Sequence, residues 1–240
     1  MARKPSRPTR RVQPTRKTAS PQDSHPAGTD REKIITAFLA LLAETSIERI
    51  SLAEIASGAG VTLAQMRGEF GSPLAILAAY IKDTDRAVLA EDFSDMKEEP
   101  PRERLFDVLM RRLEKLAPHR QAVRSLMRSV RGNAPLALAL NRLAVRSQKW
   151  MLAAAGISAP GPRGALRAQG LAMLFSSVLR TWARDDDPGL ARTMAALDRA
   201  LARGQRFAGF LDDLFFIPSR LCRLRPRRRR DDDEEEAAAA

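Results

Sequence analysis

The chain has 240 residues, 44% of them hydrophobic and 29% charged, with 41 Lys and Arg against 29 Asp and Glu. That length can bury a sizeable core in one or two domains, and no run of eighteen apolar residues is present to span a membrane. The single cysteine, Cys222, excludes an intrachain disulfide and a cysteine zinc cluster, which fits a reducing cytoplasm.

The net charge of +12 is unevenly placed. Residues 1–29 hold seven Lys or Arg and one Asp, whereas residues 30–82 hold five Lys or Arg against six Asp or Glu. Residues 1–29 are rich in Pro, Arg, Thr and Ser without apolar periodicity, so a disordered basic arm is expected. Such an arm either follows a nucleic-acid backbone or serves as a solubilising extension. It is not followed by an apolar segment, so it does not read as a secretory signal.

Asp30 to Ala43 predicts an amphipathic helix, with Ile34, Phe38, Leu41 and Leu42 on one face. Ser51 to Phe70 then predicts two short helices. Ser51 caps the first and Glu54 completes the S-x-x-E capping box; Leu52, Ile55 and Ala56 form its buried side. Gly60 stands where that helix must stop, because a residue without Cβ takes the left-handed conformation cheaply. Thr62 caps the second helix, whose Leu63, Met66 and Phe70 repeat at three and four. Two short helices joined at a glycine outline a helix-turn-helix.

Phe70-Gly71-Ser72-Pro73 breaks the chain ahead of a fourth helix running to about Leu89, with Pro73 at a first helical position. Leu74, Leu77, Ile81 and Val88 are its expected inward residues. Glu91 to Arg102 is polar with two prolines and reads as a loop. Arg102–Leu116 and Arg120–Val130 predict further helices. The arginines at 120, 124, 128 and 131 share one face of the latter, read as a solvated face in preference to an anion-binding stripe. A long helix over Leu136–Ala155 leads to a loop at Pro160–Gly164. Helices over Ala165–Ala183 and Pro188–Arg203 follow, the second begun by Asp185-Asp186-Asp187, where the helix dipole favours negative charge. The nearly all-apolar run Leu171–Leu179 needs cover on most sides, and a second copy of the chain is the expected cover. Gln205 to Phe216 carries one more apolar face in Phe207, Phe210, Leu211, Leu214 and Phe215, and residues 217–240 read as a low-complexity charged tail.

Catalytic constellations are scarce. The two histidines are His25 in the arm and His119 in a turn, where an ordinary surface histidine is expected; Cys222 has no nearby His, and the G-x-G at Gly58-Ala59-Gly60 follows a helix instead of a strand. The reading is therefore not an enzyme, with no cofactor and no metal. Phe106, Met110, Met127, Trp150, Met151, Met173, Phe175 and Trp182 are bulky residues expected to converge; they suit either an ordinary core or an apolar ligand site.

The strings Ile50-Ser51-Leu52, Ile55-Ala56, Ala59-Gly60-Val61-Thr62 and Phe70-Gly71-Ser72, with Leu77, resemble the N-terminal domain of the TetR family of transcriptional regulators over residues 31–82. That family usually carries an aromatic at the position of Arg67 and Lys at that of Pro73, so this chain departs at two customary phosphate contacts. The resemblance implies an all-α protein: a three-helix helix-turn-helix domain over 30–82, then a helical-bundle domain over 83–216 for ligand binding and dimerisation. It implies double-stranded DNA as partner, through Ser51, Thr62, Leu63, Gln65, Arg67 and Ser72. It also implies a homodimer through Ala165–Arg203, a small hydrophobic effector in the second domain and a cytoplasmic regulator, read here as a repressor. A second reading stays open. Residues 100–203 are also similar to TetR-fold proteins that assist ubiquinone biosynthesis, which bind lipid and lay a C-terminal amphipathic helix on membranes. Phe207–Phe216 occupies the place of such a helix.

Overall fold

The computed structural model of the chain describes residues 29–157 and 160–216, with the backbone alone for 207–216. The expected basic arm up to residue 28, the charged tail over 217–240 and the apolar face of Phe207–Phe216 lie outside the described residues or side chains.

All regular structure among the described residues is helical. The order is α1 (Asp30–Glu44), α2 (Leu52–Ala59), α3 (Leu63–Glu69), α4 (Pro73–Leu89), α5 (Pro101–Leu116), α6 (Arg120–Val130), α7 (Ala134–Ala154), α8 (Gly161–Trp182) and α9 (Ala191–Phe216), with short 3-10 turns at Ile47–Arg49, Ser94–Met96 and Ala117–His119. Two apolar cores organise them. Ile34, Phe38 and Leu42 of α1 meet Ile55 of α2, Met66 of α3 and Ile76 of α4 in the first. Leu109 and Leu113 of α5, Met151 of α7, Phe175 and Trp182 of α8 and Leu197 of α9 form the second. Helix α4 serves both, since Ile76 and Leu77 enter the first core while Val88 enters the second. A boundary near residue 82 thus falls inside one continuous helix.

Apart from Leu52, expected on the buried side of α2 and 38% exposed in the fold, the predicted elements differ from the observed ones in three places. Helix α8 begins at Gly161, where a loop over Pro160–Gly164 was expected; Gly161 sits at φ 68° and Pro162 occupies the first turn, where no amide hydrogen is needed. Helix α9 starts later than Pro188 and runs without a break through Gly204 to Phe216. A single glycine costs a helix about 1 kcal/mol, too little to stop one with no proline nearby. Before it, the Asp187 carboxylate accepts from the Gly189 and Ala191 amides at 3.1 Å. Asp185 is buried and accepts from the Thr193 amide at 2.8 Å and its hydroxyl at 2.6 Å. The Thr193 hydroxyl, opposed only in part by burial, holds the Asp185 carboxyl below the ordinary carboxylate range.

The third difference concerns the arginines of α6, which do not form a solvated face. Arg120 donates to the Asp185 carbonyl at 2.7 Å and lies over the Trp182 ring, while Arg124 Nε donates to the Ala183 carbonyl at 3.0 Å. Those carbonyls follow the end of α8 and lack helical partners, so a guanidinium fork satisfies them. Only Arg128 and Arg131 are exposed. His119 is likewise not a plain surface residue: it is half-buried, its ring stands edge-on to Tyr80 at 5.4 Å, and burial lowers its pKa from 6.5.

The second core also contains a polar seam. Arg112 of α5 pairs with Asp85 of α4, and Ser147 of α7 donates to the same Asp85 oxygen at 2.8 Å; all three are buried.

Candidate nucleic-acid interface

The first three helices each begin with a closed capping box. Thr29 Oγ1 accepts from the Glu32 amide at 3.3 Å, Ser51 Oγ from Glu54 at 3.2 Å, and Thr62 Oγ1 from Gln65 at 3.1 Å. In return the Glu32, Glu54 and Gln65 side chains accept from the cap amides at 3.0, 2.8 and 2.9 Å. Each box satisfies two amide groups that a helix start leaves unpaired. The Ser51 amide and hydroxyl hold the Glu54 carboxyl below its ordinary value. Gly60 ends α2 at φ 65°, ψ 31°, and its amide reaches back to Ala56 and Ser57. The turn from α2 to α3 is thereby fixed by local chemistry, and α2 packs on α1 at Gly58, where a Cβ would lie 3.4 Å from Ala37 Cβ, about van der Waals contact.

Helix α3 is pinned by Met66, which is 2% exposed, and by the buried Phe70. Its other side is open: Leu63 is 58% exposed, and Ala64, Gln65, Arg67 and Gly68 are exposed with it. Gln65 is not free to read a base. Its amide nitrogen donates to Asp30 at 3.1 Å and its oxygen accepts from the Thr62 amide and hydroxyl. Thr62 and Ser51 are each held in their own boxes, and half-buried Ser72 caps α4 by accepting from the Ala75 amide at 3.2 Å. Arg67 makes no hydrogen bond or ion pair among the described residues; its guanidinium lies where a Cβ on Gly71 would be 3.0 Å from it. Of the six residues expected at the interface, Leu63 and Arg67 therefore face solvent without an internal partner. The tie from Gln65 to Asp30 spans 35 positions, and nothing in the local sequence signals it.

Of the eight residues expected to converge as core or as a ligand site, six meet in the second core and two do not. Met151, Phe175 and Trp182 are core; Phe106, Met110 and Met127 pack half-buried against it; Trp150 and Met173 are 55% and 64% exposed. The buried stripe of α7 is Ser147, Gln148, Met151 and Leu152, which turns Trp150 outward. A cavity of about 750 Å³ opens elsewhere, between the start of α5, α8 and α9. Leu105, Leu166, Leu171, Leu174 and Leu201 line it, with Arg163 and Arg203 at its edge, and Met173 alone of the eight reaches it. Among the described residues no group of His, Cys, Asp and Glu is placed to hold a metal ion, and no helix is long and apolar enough to cross a membrane.

Helix α6 joins the two parts. Ala122 is buried in the first core, Ser125 donates to the Thr45 carbonyl at 2.8 Å, and Asn133 just beyond donates to Glu48 at 3.1 Å. On its other side Arg120 and Arg124 hold the turn after α8.

Solved structures share this arrangement. A TetR transcriptional regulator from Nitrosomonas europaea superposes with a TM-score of 0.58 at 22% identity, covering 74% of this chain and 99% of that one. One from Rhodococcus sp. RHA1 gives 0.54 at 19% identity, over 73% and 94%. The fold is that of the TetR regulators. No protein-family model and no curated protein matches the sequence. The expected all-α class, with a helix-turn-helix ahead of a larger helical bundle, is the one observed.

Proposed function

We propose that the protein is a TetR-like DNA-binding transcriptional regulator, acting as a cytoplasmic repressor. The observation that carries this reading is α3: capped at Thr62, anchored by Met66 and Phe70, and left uncovered on its outer face within a TetR-type fold. Two protomers would place α3 in successive major grooves of a two-fold-symmetric site. The dimer surface proposed within Ala165–Arg203 is narrower than the apolar run suggested, because Leu171, Phe175 and Val178 are buried in their own protomer. Leu166, Met173 and Met194, at 42%, 64% and 42% exposure, are the large apolar side chains left exposed there, the first two also lining the cavity.

A hydrophobic effector would enter the cavity between α5, α8 and α9, which Met173 alone of the eight expected residues lines. Ligand sites commonly span roughly 300–1,000 Å³, and 750 Å³ lies within that range. Movement of α8 would reach α1 through Arg120 and Arg124 and then through Ser125 of α6, favouring one of two domain arrangements. The lipid-binding alternative rests on Phe207–Phe216, whose side chains lie outside those described, and the structural relatives named above are transcriptional regulators.

The test is selection of duplexes from a random-sequence pool by the full chain. Enriched two-fold-symmetric half-sites about one helical turn apart support the regulator, and Arg67→Ala should weaken binding to them. A pool that stays random would sink it.

A further inference from the structure

We infer that the reading helix recognises thymine-bearing base pairs, chiefly through the C5-methyl groups that Leu63 and Ala64 would meet in the major groove; this rests on the regulator reading above. Sequence is read in the major groove either by hydrogen bonds to base edges or by apolar contact with the thymine methyl. The polar route is nearly closed here. Thr62 and Gln65 spend their side chains on the capping box and on Asp30, and breaking those bonds would uncap α3. Arg67 and Glu69 are the exposed hydrogen-bonding side chains of α3 without an internal partner among the described residues; the Glu69 carboxylate is repelled by phosphate, whereas Arg67 can reach a guanine or a phosphate.

The apolar route is open. Leu63 and Arg67 lie one turn apart on the outer face, as do Ala64 and Gly68. A leucine 58% exposed is poorly placed for stability, since its methyls meet water in the free protein. Desolvating them against a thymine methyl uses that surface. Gly68 adds to the same geometry. A Cβ there would meet nothing within 4 Å, so the fold does not require glycine at 68, whereas bare backbone lets α3 approach a groove floor closely. The −1 balance of residues 30–82 fits as well: little of the contact could come from a basic domain surface.

The experiment takes the duplex that the full chain selects from the random pool and replaces each thymine in turn by deoxyuridine. That removes the methyl and leaves every base-pairing group unchanged. At the contacted positions the affinity should fall about fourfold per methyl, the effect of desolvating roughly one methylene-sized group. Leu63→Ala should abolish the thymine–uracil difference at its positions while leaving the melting temperature unchanged. Gly68→Ala should raise the melting temperature, as glycine-to-alanine does inside an exposed helix, yet weaken binding to the selected duplex. Equal affinity for thymine and uracil at every position would overturn the proposal. So would Leu63→Ala leaving the thymine–uracil difference unchanged at every position, because DNA shape would then be its source. A pool that yields no sequence would overturn the regulator reading itself, an outcome distinct from either of these.

Discussion

The two cores hold their polar groups in opposite ways. Around the first, the polar bonds are mostly local: Thr29 with Glu32, Ser51 with Glu54, and Thr62 with Gln65, each three residues apart at a helix start. The interior is apolar, from Ile34 to Ile76. The second core buries Asp85, Arg112 and Ser147 together, joined across separations of 27 and 62 residues. Among the described residues it also leaves Arg112 Nε, Gln148 Oε1 and Trp182 Nε1 buried without a protein partner. An apolar core with capped ends has one good arrangement. A core with under-satisfied polar atoms is costlier per group and has more to gain from rearranging. That contrast agrees with the proposed regulator, in which the first domain would stay rigid and the second would rearrange, and it can be broken by experiment.

The largest effect should come from α8, where burial and exposure alternate. Val178→Asp puts a carboxylate into a site 1% exposed and should abolish folding, as judged by circular dichroism. Met173→Asp, at 64% exposure, should leave the helix content intact and yield monomers in sedimentation. If both variants unfold alike, α8 has no separate dimer face.

Next in size is the polar seam. Asp85→Ala strands the Arg112 guanidinium and should cost about 3–5 kcal/mol in chemical denaturation. Asp85→Leu combined with Arg112→Met removes both charges and should recover most of that loss. A double variant no more stable than Asp85→Ala would mean that the pair is not what the single change breaks.

The capping boxes should matter less. Ser51→Ala loses a cap worth about 0.5–2 kcal/mol and should weaken DNA binding only as far as it loosens α2. A larger change in melting temperature than for Asp85→Ala would reverse the ranking of the two regions.

Smallest is the response to acid, which should reach the second region first. Burial lowers the folded pKa of His119 from 6.5, so the unfolded chain takes up the proton more readily. The stability that the neutral ring contributes is present above about pH 6.5 and is lost as pH falls through the folded value. Glu54 is also lowered, from 4.5, by its bonds to Ser51, so its contribution is lost only below about pH 4.5. His119→Phe should flatten the upper part of the pH–stability curve and Glu54→Gln the lower part. A curve flat from pH 7 to 5 in the unmodified chain would remove His119 from the account.

The sequence by itself determined the helical class, the cap-turn-cap outline of α2 and α3, and the burial of Ile34, Phe38 and Leu42 in α1, though not that of Ile35, Ala37 and Leu39. All of these follow from residues three or four apart, where backbone geometry alone puts side chains on one face or at one helix end. It also placed Gly60 correctly, because a left-handed φ is a property of a single residue. Which exposed group is free was another matter. Gln65 looks like a reader of bases in sequence and is tied to Asp30 in the fold; Arg120 looks solvated and holds the end of α8. Trp150 suggests a pocket residue and faces outward, Met173 is exposed yet lines a cavity made by other residues than those expected, and Ser147 and Gln148 go in. Those outcomes depend on which helix lies opposite, and neighbours 35 to 65 positions away leave no mark in local periodicity. Only the tertiary packing decided where the cavity opens, which of the α6 arginines hold the end of α8, and how few polar groups on the open face of α3 are left untied.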